Sequence, residues 1–344
     1  MIILGIETSC DDTGAAIVEA NAGKFRVLKN IVASQSNLHK KYGGVVPEVA
    51  ARAHVETIIP VINEAIREQR SKIDAIAVAS GPGLITSLHV GVETAKALSC
   101  AWNVPLIKVN HIEGHIYSSI LNLPSSIIHF PAIALLVSGG HTELILMRDH
   151  GKYKLLGRTR DDAAGECFDK SAKMLGLAYP GGPQISKHAK SGNPEACDIP
   201  RPMIDQDGFE FSFSGMKNAI RLLIEKISAN TNLCTDAIFG VSEINDLCAS
   251  IEQAIIDVLA FKSLKAIEKY KPKTFILSGG VSANKKLRAT LQSALLKKTT
   301  FLAPDISYCM DNAAMIAAAG YFHARKKDFI PYHKLTANAN WELV

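Results

Sequence analysis

Short apolar, β-branched runs alternate along the chain with longer segments whose apolar residues recur at helical spacing, a pattern typical of α/β proteins. The runs that predict strands cover residues 2–7, 15–19, 73–79, 105–109, 132–137, 143–147, 153–157, 274–277 and 299–302. The segments between them predict helices over residues 48–69, 84–102, 111–123, 167–175, 215–228, 242–270, 284–296 and 310–324.

One strand–turn–strand pattern occurs twice. ILGIETSCDDTGAAIVE near the start and ALLVSGGHTELIL further along both place a small polar turn between apolar strands, and FILSGGVSAN again ends a strand in a glycine pair. Each glycine turn taken alone favours a plain tight turn, because glycine pairs are common in turns. Several of them at strand ends favour a nucleotide site, because glycine lets the backbone approach a phosphate closely. The P-loop pattern is absent from the sequence.

Length and composition limit the class of protein. The chain has 344 residues, 47% hydrophobic and 21% charged, with a net charge of +5, which suits two globular domains and permits an anionic partner without requiring one. The seven cysteines are scattered and never form a CxxC pair, so we expect neither a disulfide framework nor a thiolate zinc site. No apolar run approaches the roughly 18 residues that cross a bilayer. We expect a cytoplasmic protein without a membrane partner.

The most specific chemical signal is a histidine pair. His111 and His115, in NHIEGHIY, are four residues apart, which places both imidazoles on one face of a helix, as two ligands of one ion require. Glu113 lies two residues after the first histidine, a rotation of about 200° at 3.6 residues per turn, so the general base of a zincin protease is missing. Two helical histidines without a metal are the alternative interpretation.

A third ligand has to come from elsewhere in the chain. Asp311, in SYCMDNAAM, is a candidate, since two histidines and one carboxylate suit iron(II) or zinc and leave coordination positions open. The spacing does not single it out, because an acidic residue before a helix also complements the helix dipole.

Four further polar residues stand beside the predicted strands and turns. Asp11 and Asp12 follow the first strand, where they suit either a cation site or ordinary Asx turns. His141 follows the second glycine turn and either faces a cleft or is a polar strand residue. Asp169 lies on a predicted helix, where it either contacts a ribose or is solvated.

The motifs together resemble one family. GIETSCDDTG, YGGVVPEVAAR, GPGL, HIEGH, LLVSGGHTEL, DDAAGECFDK, YPGGP, FSFSGMK, GGVSAN and CMDNAAMIA follow one another as in the bacterial TsaD (Gcp) family of tRNA N6-adenosine threonylcarbamoyltransferases. The resemblance covers nearly the whole chain. It implies a two-lobed actin-like (ASKHA) α/β fold, in which each lobe is an RNase H-like mixed sheet flanked by helices. Residues 1–128, completed by a C-terminal helix in 310–344, would form one lobe and residues 129–309 the other.

The same resemblance implies roles for individual residues. His111, His115 and Asp311 match the family's metal ligands, for Fe²⁺ or sometimes zinc. Asp11, Asp12 and His141 match positions implicated in catalysis or in holding the intermediate. The positions that match contacts to the adenylate are Leu136, Val137, Ser138, Gly139, Gly140, Asp169, Gly182 and Asn284. The C-terminal tail ANANWELV departs from the arginine-containing ending of many members.

The activity that the resemblance implies is transfer of the threonylcarbamoyl group from threonylcarbamoyl-AMP to N6 of the adenosine 3′ of the anticodon. The tRNAs concerned read codons that begin with A. A TsaB-like paralogue and a TsaE-like ATPase are the implied partners. Two other functions fit the glycine turns: an ATPase or kinase-like enzyme of the same fold, and a non-catalytic nucleotide-binding scaffold.

Overall fold

The computed structural model describes residues 1–67, 70–231, 240–295 and 298–344. The described chain divides into two compact units. The first unit comprises Met1–Phe130, Met147–Tyr153 and Leu302–Val344, and the second comprises Pro131–Leu146 and Lys154–Phe301.

Two five-stranded sheets account for the described strands. In chain order these are β1 (Ile2–Glu7), β2 (Asp12–Asn21), β3 (Lys24–Ser34), β4 (Ala75–Gly81), β5 (Leu106–Asn110), β6 (Ala132–Val137), β7 (Thr142–Asp149), β8 (Lys152–Arg158), β9 (Thr274–Ser278) and β10 (Thr300–Leu302).

The two sheets repeat one order of strands. The first sheet runs β3-β2-β1-β4-β5 and the second runs β8-β7-β6-β9-β10. In the first sheet β1 pairs antiparallel with β2 and parallel with β4, so the sheet is mixed. In the second sheet β6 pairs parallel with β9. The strand–turn–strand repeat in the sequence corresponds to β1–β2 and β6–β7, the central strands of the two sheets.

Ten α-helices lie in the described residues. They are α1 (Ser36–Lys40), α2 (Pro47–Ile66), α3 (Ile85–Trp102), α4 (His111–Ser118), α5 (Ala164–Met174), α6 (Gly181–Ala189), α7 (Ser214–Thr231), α8 (Val241–Tyr270), α9 (Lys285–Ala294) and α10 (Ala313–Arg325). None of the helices in this part of the chain has both the length and the apolar character needed to cross a membrane.

The sequence analysis missed three elements, β3, α1 and α6. β3 is an edge strand of the first sheet with a single buried residue, and its sequence lacks the apolar run of a central strand. The helix predicted over 111–123 ends at Ser118. The last predicted residues of two other helices, Gln69 and Leu296, lie outside the described residues.

Helix α10 lies in the core of the first unit and determines the position of Asp311, which precedes the helix. Its residues from Ala313 to Phe322 are all buried, as expected for a helix that is apolar on every side. The helix approaches β1 so closely that a Cβ atom on Gly5 would overlap the carbonyl oxygen of Ala313. Gly5 therefore fixes the first turn of α10, two residues after Asp311, against the central strand of the sheet.

Candidate functional site

His111, His115 and Asp311 form one cluster in the first unit. One ligand atom from each residue lies within 4.8 Å of the ligand atoms of the other two. Oδ1 of Asp311 is 3.2 Å from Nε2 of His115 and 3.6 Å from Nε2 of His111. Both imidazoles are buried, whereas the carboxylate is partly exposed. The fold thus brings the proposed third ligand to the histidine pair.

The start of α4 orients the histidine pair. β5 ends at Asn110, and α4 begins at the next residue. The Asn110 side chain caps this helix, because its Oδ1 accepts hydrogen bonds from the backbone N–H groups of Ile112 at 2.9 Å and Glu113 at 3.4 Å. The helix then carries His111 and His115 on one face.

A buried carboxylate orients His111. Nδ1 of His111 lies 3.0 Å from Oε2 of Glu7 and 3.1 Å from Oγ of Ser9. Glu7 can only accept, so Nδ1 carries the proton and Nε2 is directed to the cluster. Burial by itself would lower the pKa of His111, but the carboxylates of Glu7 and Asp311 outweigh burial and raise it to about 9. The acidic surroundings therefore favour a positive charge on His111 or on an ion beside it.

The cluster fits a metal ion. Within the described residues, neither buried ring nitrogen of His115 makes a hydrogen bond, and Nε2 has only the Asp311 carboxylate near it, at 3.2 Å. Buried polar atoms without partners are costly, and a coordinated ion would satisfy Nε2. Two imidazole nitrogens and one carboxylate oxygen suit Fe²⁺ or Zn²⁺. This His–His–Asp group can bind a metal.

Asp11 and Asp12 close the turn between β1 and β2 in the same unit. The backbone carbonyl of Asp11 accepts a hydrogen bond from Gln35 N–H at 3.1 Å. Burial, with the added charges of Asp311, Asp11 and Glu7, raises the pKa of Asp12 to about 7, although a hydrogen bond with Ser34 opposes the shift. Its Oδ1 is buried and has no hydrogen-bond partner among the described residues. This turn is thus a second acidic element of the first unit.

The remaining predicted site residues lie in the second unit. Leu136 and Val137 end β6 inside the core, and the turn from Ser138 to His141 follows. Ser138 N–H donates to the His141 carbonyl at 2.8 Å, and Ser138 Oγ accepts from His141 N–H at 3.1 Å. Gly139 and Gly140 are exposed, and no atom comes within 4 Å of a Cβ built on either. The backbone of this turn is thus open to a ligand.

Asp169 lies on α5 and contacts the start of α6. Its Oδ1 accepts hydrogen bonds from the N–H groups of Gly181 at 2.7 Å and Gly182 at 3.3 Å. Burial raises the pKa of Asp169 despite these two hydrogen bonds. Two of the predicted site residues, Asp169 and Gly182, are therefore in direct contact.

Asn284 caps the start of α9 and takes part in a small polar network. Its Oδ1 accepts from Leu287 N–H at 2.8 Å, while its Nδ2 donates to Glu252 Oε1 at 2.7 Å and to Ser186 Oγ at 3.0 Å. Because β6 and β9 are parallel, the turns after Val137 and Ser278 lie at the same edge of the sheet. The glycine turns of the second unit are therefore neighbours.

Comparison with known proteins identifies the family. The family model described as TsaD, tRNA N6-adenosine threonylcarbamoyltransferase, matches residues 26–318. A Bacillus subtilis protein named tRNA N6-adenosine threonylcarbamoyltransferase is 48% identical over 93% of this chain and 90% of its own length. A protein of the same name from Symbiobacterium thermophilum is 49% identical over 93% of this chain and 91% of its own length. The chain belongs to the TsaD family.

Solved structures agree on the fold. T. kodakarensis HypF is 14% identical, with a TM-score of 0.60 over 97% of this chain and 49% of that one. The activator of the 2-hydroxyisocaproyl-CoA dehydratase from Clostridium difficile is 13% identical, with a TM-score of 0.53 over 95% of this chain and 97% of that one. This TsaD-family chain has an actin-like α/β fold, as the resemblance implied.

The sequence analysis of this TsaD-family chain missed two residues that contact predicted site residues. Glu7 contacts His111, and Glu252 contacts Asn284. Glu7 ends an apolar strand and Glu252 lies in a mostly buried helix. An acidic residue inside an apolar run is the signal that could have drawn attention to both, since a buried carboxylate needs a partner.

Proposed function

We propose that this chain transfers the threonylcarbamoyl group from threonylcarbamoyl-AMP to N6 of the adenosine 3′ of the anticodon, in tRNAs that read codons beginning with A. The match to the family along nearly the whole chain carries this proposal. The His–His–Asp cluster supports it, because kinases of an actin-like fold bind Mg²⁺ through phosphates and carboxylates rather than through histidines.

His111, His115 and Asp311 would hold the metal, for which we propose Fe²⁺, with zinc as the alternative. When bound, such an ion supplies Lewis acidity that polarises a carbonyl oxygen. Glu7 accepts the Nδ1 proton of His111, which would leave Nε2 as the atom that gives up its proton to bind the ion.

The second unit supplies the nucleotide-binding groups in this proposal. The backbone of Ser138, Gly139 and Gly140, which continues from Leu136 and Val137, would lie against the adenylate. Asp169, Gly182 and Asn284 would contact the rest of the nucleotide. The open space beside Gly139 and Gly140 supports this assignment.

The transfer exchanges one bond to the carbamoyl carbon for another. N6 of the adenosine forms a bond to that carbon, the bond to the AMP phosphate oxygen breaks, and N6 releases a proton. Because an adenine amine is a weak nucleophile, we expect its orientation to contribute much of the rate. We propose Asp11, Asp12 and His141 as the residues that hold the intermediate or receive the proton. A raised pKa suits Asp12 to proton transfer near neutral pH.

The proposed partners are tRNA, a TsaB-like paralogue and a TsaE-like ATPase, with the cytoplasm as the compartment. The test combines the purified chain with these two proteins, ATP, unmodified tRNA and preformed threonylcarbamoyl-AMP that carries labelled threonine. Nucleosides are then identified by mass spectrometry. We expect N6-threonylcarbamoyladenosine that disappears when the chain is omitted. Absence of product, while another family member succeeds in the same mixture, would refute the transferase. ATP consumption by the purified chain alone, without the TsaE-like ATPase, would then favour an ATPase.

A matched pair of variants tests the role of the cluster. His111→Ala should lose bound metal and transfer activity together, whereas His89→Ala, which removes an exposed histidine of the same unit, should keep both. Full activity of a metal-free His111→Ala protein would exclude a catalytic metal.

A further inference from the structure

Glu113 is the acidic residue between the two metal-ligand candidates, and it has no role in the function proposed above. It lies on α4 between His111 and His115, yet its side chain points away from their face of the helix. Only 3% of its surface is exposed. A carboxylate this buried requires partners that compensate its charge.

Two side chains provide this compensation. Oε1 of Glu113 accepts a hydrogen bond from the Tyr153 hydroxyl at 2.6 Å, and Oε2 accepts one from Nε2–H of His323 at 2.8 Å. The other ring nitrogen of His323 lies 2.9 Å from Oδ2 of Asp328. Both nitrogens of His323 therefore donate to carboxylates, so the imidazole is positively charged and forms an ion pair with Glu113.

The ion pair connects the two helices that bear on the metal cluster. His323 lies in the last turn of α10, and Asp311 lies immediately before the first turn of the same helix. Gly114 on α4 faces α10, where a Cβ would come within 2.8 Å of Cδ1 of Ile316. The two helices thus touch through Gly114 and are joined again at Glu113 and His323. Rotation of α4 against α10 would break the second contact and move the histidines relative to Asp311.

We propose that Glu113 and His323 are positioning residues, which hold α4 and α10 in the relative orientation that brings His111 and His115 to Asp311. This inference rests on the proposed metal site. It assigns to Glu113 a role in the geometry of the site without contact with the metal or with substrate. Glu113 then contacts α10 from one face of α4, while His111 and His115 lie on the opposite face.

Co²⁺ binding to the purified full-length chain tests the proposal, because its visible absorption reports coordination and chelator competition gives its dissociation constant. We expect Glu113→Ala and His323→Leu each to weaken Co²⁺ binding about tenfold, in the range known for residues that orient metal ligands. The double variant should bind Co²⁺ no less tightly than the single variant with the lower affinity, because both substitutions remove the same contact. Glu113→Gln, which keeps an acceptor of the same shape, should restore affinity to within about threefold of the wild type.

Asp328→Asn is the matched control, since it removes the exposed partner of His323 and leaves the contact between the helices. It should bind Co²⁺ as the wild type does. His323→Leu keeps the test valid if Glu113→Ala does not fold, because His323 lies at the partly exposed edge of the contact. Wild-type Co²⁺ affinity and spectrum in a folded His323→Leu protein, which has no donor for Glu113, would overturn the proposal. Failure of the wild type to bind Co²⁺ would refute the metal site itself.

Discussion

Nδ1 of His111 lies 3.0 Å from Oε2 of Glu7, a carboxylate at the end of the central strand of the first sheet. The contact holds the proton on Nδ1, and it leaves Nε2 as the atom that faces Asp311. Glu7 on β1 therefore influences the protonation of His111 on α4, although the two residues are far apart in the sequence.

The first prediction concerns this contact. Glu7→Ala should weaken metal binding by about 10- to 100-fold, the usual effect of removing a carboxylate behind a ligating histidine. Isothermal titration with Zn²⁺ measures it. Ser9→Ala is the control, because it removes the other neighbour of Nδ1 and keeps the carboxylate; it should bind nearly as tightly as the wild type. Equal affinities of Glu7→Ala and wild type would show that Glu7 does not orient His111.

The second prediction is a pH dependence of stability caused by Asp12. Its pKa is raised from 3.8 to about 7, so between these values the folded protein holds a proton that the unfolded chain releases. Stability must then fall as pH rises through this window. In metal-free protein, Asp12→Asn should be more stable than the wild type at pH 8 by about 2 kcal/mol, a figure reduced for partial exposure. Urea denaturation measures the difference.

The same pair of proteins at pH 4 is the control for Asp12. In the folded protein both side chains are uncharged there, and only the unfolded chain carries a partly ionised Asp12, so the two stabilities should agree to within about 1 kcal/mol. A difference that stays constant from pH 4 to pH 8 would mean that the substitution acts through packing, without a contribution from the charge of Asp12.

The third prediction separates two glycines by what surrounds them. Gly139→Ala should leave stability within about 0.5 kcal/mol of the wild type, because its Cβ meets open space. It should raise KM for threonylcarbamoyl-AMP about tenfold, equivalent to about 1.4 kcal/mol of binding, since the methyl group occupies the side open to the ligand. Gly5→Ala should instead destabilise the fold by about 3 kcal/mol, as its Cβ overlaps the Ala313 carbonyl. An unchanged KM in Gly139→Ala would show that the adenylate does not bind against this turn.

The fourth prediction concerns the C-terminal tail. Nδ2 of Asn110, the residue that caps α4, donates a hydrogen bond to the Trp341 carbonyl at 3.1 Å. Truncation after Asn340 removes this acceptor and should destabilise the start of α4 by about 1 kcal/mol. Faster hydrogen exchange at the amides of Ile112 and Glu113 would report it. Truncation after Glu342 keeps the acceptor and should leave both exchange rates unchanged; equal rates in the two truncations would exclude the effect.

The sequence determined the features of this protein that depend on local spacing. Alternation of apolar runs with helical periodicity predicted the α/β class, and the repeated strand–turn–strand pattern marked the central strands of both sheets. The four-residue spacing of His111 and His115 placed both imidazoles on one helix face, because the helical repeat fixes this relationship without help from the rest of the chain.

Only the tertiary structure decided which distant residues meet. Asp311 reaches the histidines because α10 packs against β1 at Gly5, a contact that no local pattern in the sequence encodes. Edge strand β3 forms because β2 offers it hydrogen bonds, although only one of its own residues is buried. Glu113 shows the same limit, since helical spacing excluded it from the metal face, but its ion pair with His323 depends on how α4 packs against α10. Periodicity fixes the face on which a side chain lies, while long-range packing fixes its partner.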